Sequence, residues 1–187
     1  MPSERLLVLL SRWRVNLATA LFVPAVILAQ PSVDSIERFT GLVLVGVALR
    51  TWARGYLERH DYVTQAGPYA RMRHPLYVGS FLIGLGFAAM CHSPVVVALY
   101  TAGFVVMYVP KAIREERHLR TVHGGDYDRY ATVVPAVIPR FSRPKLHTPA
   151  SRASWAWRRV MRHREWKTWL GVVAAFGAMW LQTRLRV

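Results

Sequence analysis

The sequence predicts an all-α integral membrane protein, a single domain over residues 1–187 with about five transmembrane helices. Two observations predict it. Hydrophobic residues make up 53% of the 187, with a mean hydropathy of +0.19, and the basic residues lie between apolar stretches. Each stretch is at or below the length of about 17 residues that a crossing helix needs, so the prediction rests on their number. The stretches cover 15–30, 39–53, 76–91, 94–110 and 166–182.

The first two stretches each contain a residue that is unusual in a membrane helix. Pro24 lies in the first, which lacks a cleavable signal pattern and is expected to stay as an anchor. Arg50 lies near the end of the second, where its long side chain is expected to extend toward the lipid headgroups. Both residues are therefore compatible with membrane helices.

The third and fourth stretches are expected to form an antiparallel hairpin. Ser93-Pro94 breaks the apolar run so briefly that the two helices must be neighbours, and Pro75 suits the first turn of the third helix. Gly79, Gly84 and Gly86 form a small-residue face on that helix. Such a face allows either close helix packing or access for a flat ligand.

The chain after the hairpin is expected to be helical at first and irregular afterwards. The fourth helix should continue to about Leu119 and end near Gly124, and the prolines that follow favour loops folded over the inner end of the hairpin. The last stretch, 166–182, is an extra C-terminal apolar helix with tryptophans near both ends. It either crosses the membrane or lies flat at its surface.

The positions of the basic residues predict the orientation. If the helices alternate, all 25 Lys and Arg residues except Arg38, Arg184 and Arg186 fall on one side, and the positive-inside rule makes that side the cytoplasm. The N-terminus is then cytoplasmic, in the inner or cell membrane of a bacterium or archaeon. The same rule, with attraction to membrane lipid, explains the net charge of +15 without nucleic acid as a partner.

Several kinds of chemistry lack their sequence motifs. Cys91 is the only cysteine, so neither an internal disulfide nor a thiolate cluster is expected. The histidines lack the spacing of metal ligands, and no metal is predicted. The sequence contains no nucleophile elbow and no phosphate-binding glycine loop, which leaves hydrolase and nucleotide triphosphatase functions without support.

Two polar clusters flank the hairpin. The first is Gly-Pro-Tyr-Ala-Arg-Met-Arg-His-Pro-Leu-Tyr-Val-Gly at 67–79, and the second is Glu-Glu-Arg-His-Leu at 115–119. Because a helical hairpin brings its two ends together, the clusters are expected to meet at the cytoplasmic face. Tyrosine rings there could face a cation, and a carboxylate could bind an amino group or ribose hydroxyls. Alternatively, the glutamates pair with Arg114 or Arg120, and Arg73 is only a positive-inside anchor.

The pattern as a whole extends over 61–139. It reads Gly-Pro-Tyr-x-x-x-Arg-His-Pro-x-Tyr-x-Gly, then the hairpin, then Glu-Glu-x-x-Leu, then Gly-x-x-Tyr-x-x-Tyr and the proline at 139. This order of motifs closely resembles the isoprenylcysteine carboxyl methyltransferase family and its relatives among the phospholipid methyltransferases.

The resemblance implies a membrane enzyme with a cytoplasmic catalytic segment that uses S-adenosylmethionine without a Rossmann-type fold. Lys111 takes the place of a basic residue that contacts the substrate in the carboxyl methyltransferases, although lysine lacks the bidentate geometry of arginine. Glu116 or His74 would deprotonate an amine acceptor. Carried over by position, the cofactor-binding residues are Asp61, Tyr62, Val63, Thr64, Tyr69, His74, Pro75, Leu76, Tyr77 and Glu115.

The sequence therefore predicts methyl transfer from S-adenosylmethionine to a lipophilic small molecule or lipidated substrate at the membrane. The acceptor stays open among a carboxylate, a phospholipid amine and a thiol. Two alternative functions are a membrane reductase, whose reduced nicotinamide cofactor would be held through Arg117, Arg120 and Arg129, and a non-enzymatic membrane scaffold.

Overall fold

The computed structural model describes residues 30–57, 63–141 and 154–185, and all regular structure in these residues is helical. The predicted first span lies outside the described residues except for Gln30. A short 3-10 turn, Gly67–Ala70, precedes the hairpin. The helices are α1 (Val33–Tyr56), α2 (Pro75–Met90), α3 (Pro94–His123), α4 (Gly125–Val133), α5 (Trp157–Arg162) and α6 (Trp166–Leu185).

Local sequence explains where these helices begin and end. Ser32 caps α1 through a capping box with Ser35. Proline occupies the first turn of both α2 and α3, where its missing N–H costs no hydrogen bond. Gly124 ends α3 with a positive φ of 52°, a conformation that glycine adopts readily. The predicted hairpin break, the position of Pro75 and the end of α3 near Gly124 are all confirmed.

Glycines allow α1 and α2 to pack antiparallel with their backbones in close approach. A Cβ atom added at Gly46 would lie 2.7 Å from the carbonyl oxygen of Gly79, and one added at Gly86 would lie 2.5 Å from a methyl group of Val43. The ring of Tyr100 covers Gly84 from α3. Of the two uses that the sequence allowed for this glycine face, close helix packing is the one observed.

We expect Gly46→Ala to destabilise the protein by about 2 kcal/mol, because overpacking against a neighbouring backbone forces that backbone to move. Gly41→Ala is the matched control on the same helix, since a Cβ there meets nothing within 4 Å. That variant should be neutral or more stable by up to about 1 kcal/mol, because alanine favours helix more than glycine does. Thermal unfolding in detergent measures both, and equal melting temperatures would contradict the packing argument.

The C-terminal helix α6 contacts α1 near its own start and α2 further along. Trp169 near its start donates to Thr51 at 3.1 Å, and Phe176 contacts the ring of Phe87 at 5.0 Å. Near its other end, Met179 packs against the cluster at the α2–α3 turn. α6 therefore runs parallel to α2, and its crossing of the membrane stays a prediction.

One described helix, Pro94–His123, is long and apolar enough to cross a membrane, and Pro75–Met90 is a shorter apolar helix. Large apolar side chains remain exposed on the outside of the bundle, among them Val105, Val106 and Val173. The total of five crossings stays a prediction. Arg38 near the start of α1 and Arg184 near the end of α6 lie at the end of the bundle opposite the two polar clusters. The positions of the basic residues predicted this separation. Which end faces the cytoplasm also stays a prediction.

The expectation that Arg50 extends toward lipid headgroups is wrong. Its Nε donates to Oε1 of Glu165 at 2.8 Å, and its Nη2 donates to Oε2 at 3.1 Å. Arg50 also donates to the hydroxyl of Ser80 and to the carbonyl oxygen of Leu76. Glu165 is only 1% exposed, and a buried carboxylate requires paired cations. Arg50 therefore joins the C-terminal segment to α1 and α2.

Candidate active site

The two polar clusters meet across the hairpin, as predicted. The hydroxyl of Tyr77, in the first turn of α2, donates to Oε2 of Glu115 on α3 at 2.5 Å. Beside it, Nε2 of His74 donates to Oε1 of Glu116 at 3.0 Å. The rings of His74 and Tyr77 are stacked, with centroids 5.4 Å apart and an interplanar angle of 8°. Adjacent glutamates on α3 thus bind adjacent side chains of one motif.

Glu116 is a nearly buried carboxylate at the centre of a charge cluster. Nε and Nη2 of Arg73 each approach its Oε1 at 2.9 Å, and Arg120 lies 3.7 Å from Oε2. Burial of the Glu116 carboxyl opposes ionisation, but the hydrogen bonds from His74 and Arg73 outweigh burial and lower its pKa. This part of α3 lies beyond the apolar stretch 94–110. The alternative pairing with Arg120 is present, but Arg73 and His74 are the closer partners.

Arg73 holds together three parts of the site and is more than a positive-inside anchor. Besides contacting Glu116, its Nη1 donates to the carbonyl oxygens of Ala131 and Val134 at 2.8 and 2.9 Å. These two carbonyls lie at the end of α4. Arg73 therefore connects α3 to α4 from a position directly before α2.

The chain after α4 folds back over this site, as the prolines predicted. The amide of Arg73 donates to the carbonyl of Pro135 at 2.9 Å, and the amide of His74 donates to that of Ala136 at 3.0 Å. Further along, the amide of Arg140 donates to the carbonyl of Arg71 at 2.9 Å. These backbone bonds fix the segment that carries His74.

Glu115 has a different environment from Glu116. Its side chain is exposed, and it accepts a hydrogen bond from the hydroxyl of Tyr77. The ammonium of Lys111, one turn earlier on α3, lies 5.1 Å from the ring centre of Tyr77 and 5.6 Å from that of Tyr108. The site thus combines an open carboxylate, a cation and aromatic faces.

An aromatic row leads from Lys111 into the apolar part of the hairpin. Tyr108 stacks on Phe104 with centroids 4.0 Å apart, and Phe104 contacts Phe81 at 5.1 Å and Tyr100 at 5.9 Å. The residues of this row were not among the predicted site residues. The spacing of Tyr100, Phe104 and Tyr108, four residues apart on one helix face, is the signal that could have found it.

The segment before the hairpin is tightly packed. Val63 lies in a buried cluster with Tyr127, Tyr130 and Val134, so these tyrosines of α4 pack against the segment before the hairpin. Thr64 is 7% exposed and Tyr69 is 8% exposed. The hydroxyl of Tyr130 donates to the carbonyl of Tyr69 at 2.7 Å. Two of the predicted cofactor-binding residues, Asp61 and Tyr62, lie outside the described residues.

The hydroxyl of Tyr69 is buried and has no hydrogen-bond partner among the described residues. A buried polar atom without a partner costs about 1–3 kcal/mol, so it indicates a position where a ligand could bind. Pro75 and Leu76 complete the predicted set: Pro75 is buried, and Leu76 presents its carbonyl oxygen to Arg50 at 3.4 Å. Within the described ranges, no group of three or more His, Cys, Asp or Glu side chains is placed to hold a metal ion.

Comparison with known proteins gives one family match. The family described as phospholipid methyltransferase matches residues 13–126, a range that contains both polar clusters and the whole hairpin. It ends before Tyr127 and before the C-terminal helices. No solved structure matches the chain.

Three curated relatives illustrate the range of the similarity. The nickel-cobalt-cadmium resistance protein NccN of Alcaligenes xylosoxydans xylosoxydans is 32% identical over 70% of this chain and 64% of its own length. A methanethiol S-methyltransferase of Crocosphaera subtropica is 39% identical over 38% of this chain and 27% of its own. A protein-S-isoprenylcysteine O-methyltransferase of Schizosaccharomyces pombe is 34% identical over 43% of this chain and 34% of its own length. The chain thus spans less than two thirds of the length of each.

Proposed function

This chain belongs to the phospholipid methyltransferase family, and on that premise we propose that it uses S-adenosylmethionine to methylate a lipophilic acceptor at the membrane. The observation that carries the proposal is the contact between Tyr77 and Glu115 across the hairpin. It holds an exposed carboxylate beside aromatic rings, at the edge of apolar helices. Such surroundings suit a cofactor that carries positive charge.

The residues present fit this cofactor. The buried Tyr69 hydroxyl lacks a partner and can donate to a polar group of a ligand, while Glu115 can accept from an ammonium group. When bound, the cofactor supplies a methyl group on a positively charged sulfur. The residues proposed to hold it are the segment 61–64, Tyr69, the turn 74–77 and Glu115.

We propose that the protein acts by orienting the reactants and excluding water, without forming a covalent intermediate. The stacked His74 and Tyr77 rings form a rigid surface against which reactants can be aligned, and alignment alone can lower a barrier substantially. In place of the predicted role as a base, we assign Glu116 the role of a positioning residue. Its carboxylate is already bound by Arg73 and His74, and its lowered pKa makes it a poor proton acceptor.

The proposed acceptor approaches along the aromatic row and meets Lys111. A cation at that position favours an anionic nucleophile, such as a carboxylate or thiolate, over an amine, which is cationic at neutral pH and needs a base. Two of the relatives are named for methyl transfer to methanethiol and to isoprenylcysteine. Both names agree with an acceptor of this class.

The test is a product analysis of membranes that contain the protein, incubated with S-adenosylmethionine labelled in its methyl group. We expect label in a lipophilic, protein-bound or volatile product, together with formation of S-adenosylhomocysteine. Membranes without the protein are the control, and the identity of the labelled fraction assigns the acceptor. If the purified protein bound a reduced nicotinamide dinucleotide and not S-adenosylmethionine, the reductase alternative would replace this proposal.

A further inference from the structure

An open apolar groove lies between α1 and the C-terminal segment. Its volume is about 590 Å³, within the range of about 300–1,000 Å³ found for small-molecule sites. The indole N–H of Trp169, which lines it, donates to the hydroxyl of Thr51 at 3.1 Å. The other lining residues are apolar or aromatic and include Leu44, Ala48, Trp52 and Trp155. Such a groove suits a flexible apolar chain better than a polar molecule.

The groove lies on the side of α1 that faces away from the hairpin. Gly46 meets the backbone of α2, and at about 100° per residue the groove residues Leu44 and Ala48 lie on the opposite side of the helix. From Leu44 to Trp52 the groove follows α1 for about 12 Å. This length is close to the hydrocarbon depth of one leaflet, about 15 Å. A ligand here would be separate from the reactants of the proposed methyl transfer.

One end of the groove adjoins a basic segment. Trp157, the first residue of α5, stacks on Trp169 with centroids 5.6 Å apart and contacts Trp155 at 5.7 Å, so α5 begins beside the groove. Tryptophan is typical of the depth at which lipid headgroups meet the hydrocarbon. The residues that follow include four exposed cations, Arg158, Arg162, Arg164 and Lys167.

The exposed charge of this segment is positive. Glu165 is the single acidic residue of 154–169, and its side chain is 1% exposed. Both of its oxygens are paired, with Arg50 at 2.8 Å and with Arg54 at 3.1 Å. Cations at headgroup depth attract anionic lipid. A second copy of the chain packed symmetrically on the groove would instead bring two basic segments together.

We propose that this groove binds one acyl chain of an anionic membrane phospholipid, and that the exposed cations of residues 158–167 bind its phosphate. The lipid is held by the protein and is not the methyl acceptor. Residues 154–169 lie beyond residue 126, where the family match ends, so the C-terminal segment gives this chain a lipid site outside the matched range.

The test measures quenching of tryptophan fluorescence by lipids with brominated acyl chains. The full-length protein in phosphatidylcholine bilayers is compared at increasing fractions of brominated phosphatidylglycerol, which is anionic and has no amine, or of brominated phosphatidylcholine. We expect half-maximal quenching at an about tenfold lower mole fraction of the anionic lipid, since nearby cations strengthen its binding. Equal half-maximal fractions for the two lipids would overturn the anionic site.

Charge is tested with a double variant, Arg158→Gln combined with Arg162→Gln, which should lose most of the preference for phosphatidylglycerol. Its matched control is Arg114→Gln combined with Arg117→Gln, which removes two exposed charges of α3 at the same end of the bundle. The control should keep the wild-type preference. An equal loss in both double variants would mean general attraction to a basic surface, and the proposed site would be rejected.

The groove is tested with Ala48→Phe, which fills it from an exposed position of α1 and should reduce quenching by brominated phosphatidylglycerol by about half. Ala102→Phe is the matched control, since it adds the same ring at an exposed position in the apolar part of α3; it should quench like the wild type. If Ala48→Phe also quenches like the wild type, the acyl chain does not lie in the groove, whether residues 1–29, a second copy or nothing occupies it, and the proposal fails.

Discussion

Replacing Glu116 with alanine is expected to lower the free energy of unfolding by about 3 kcal/mol. The Arg73 and Glu116 side chains are only 15% and 14% exposed, so the substitution leaves a nearly buried guanidinium without its carboxylate. Removing one partner of a buried ion pair costs about 3–5 kcal/mol, and the remaining exposure places this pair at the low end. Denaturant unfolding in detergent, followed by tryptophan fluorescence, measures the loss.

Glu115→Ala provides the matched control, because it removes the same charge from the neighbouring position on α3. Glu115 is exposed and bound by Tyr77, so its loss should change stability by less than about 1 kcal/mol. Similar losses for the two variants would mean that Glu116 does not hold the site together. A large loss for Glu115→Ala alone would reverse the roles assigned to the two glutamates.

The same pair predicts a dependence of stability on pH. Since the pKa of Glu116 is lowered from its ordinary value of 4.5 in the folded protein, its contribution is complete above that value. It is lost as the pH falls through the lower folded value. Glu116→Ala should therefore flatten the acid side of the stability curve relative to the wild type.

The meeting of the two polar clusters could be predicted from the sequence because local signals determine it. Pro75 and Ser93-Pro94 fix where α2 and α3 begin, and a short turn between two helices makes them antiparallel neighbours. The sequence could not show which glutamate faces which partner. Neighbouring residues on a helix point about 100° apart, and only packing against α2 decides that Glu116 turns inward to Arg73 while Glu115 stays exposed.

The cluster of Arg50, Arg54 and Glu165 could not be predicted from one sequence. Arg50 and Glu165 lie 115 residues apart in the sequence. Glu165 lies in a basic segment, where a carboxylate is expected to face solvent. One signal was available, because a charged residue inside an apolar stretch usually has a partner. Because Arg50 lies near the end of its stretch, the sequence favoured extension of its side chain to the headgroups. In the structure the packing of the C-terminal segment places Glu165 beside Arg50 instead.

Replacing Glu115 with glutamine is expected to weaken binding of S-adenosylhomocysteine and slow methyl transfer by up to about a hundredfold, with little change in folding. A hydrogen bond to a charged group contributes about 1.5–3 kcal/mol, and glutamine removes the charge while its amide oxygen can still accept from Tyr77. Calorimetry and the rate of S-adenosylhomocysteine formation measure the two effects.

Glu37→Gln is the control for Glu115→Gln, since Glu37 is an exposed carboxylate at the opposite end of the bundle; it should leave both quantities unchanged. Comparing Glu115→Gln with Tyr77→Phe then separates charge from orientation. Phenylalanine keeps the ring that stacks on His74 but frees the carboxylate to rotate, so it should reduce the rate less than loss of the charge does. If Glu115→Gln binds and reacts like the wild type, Glu115 does not face the cofactor, and the ammonium site assigned to it fails.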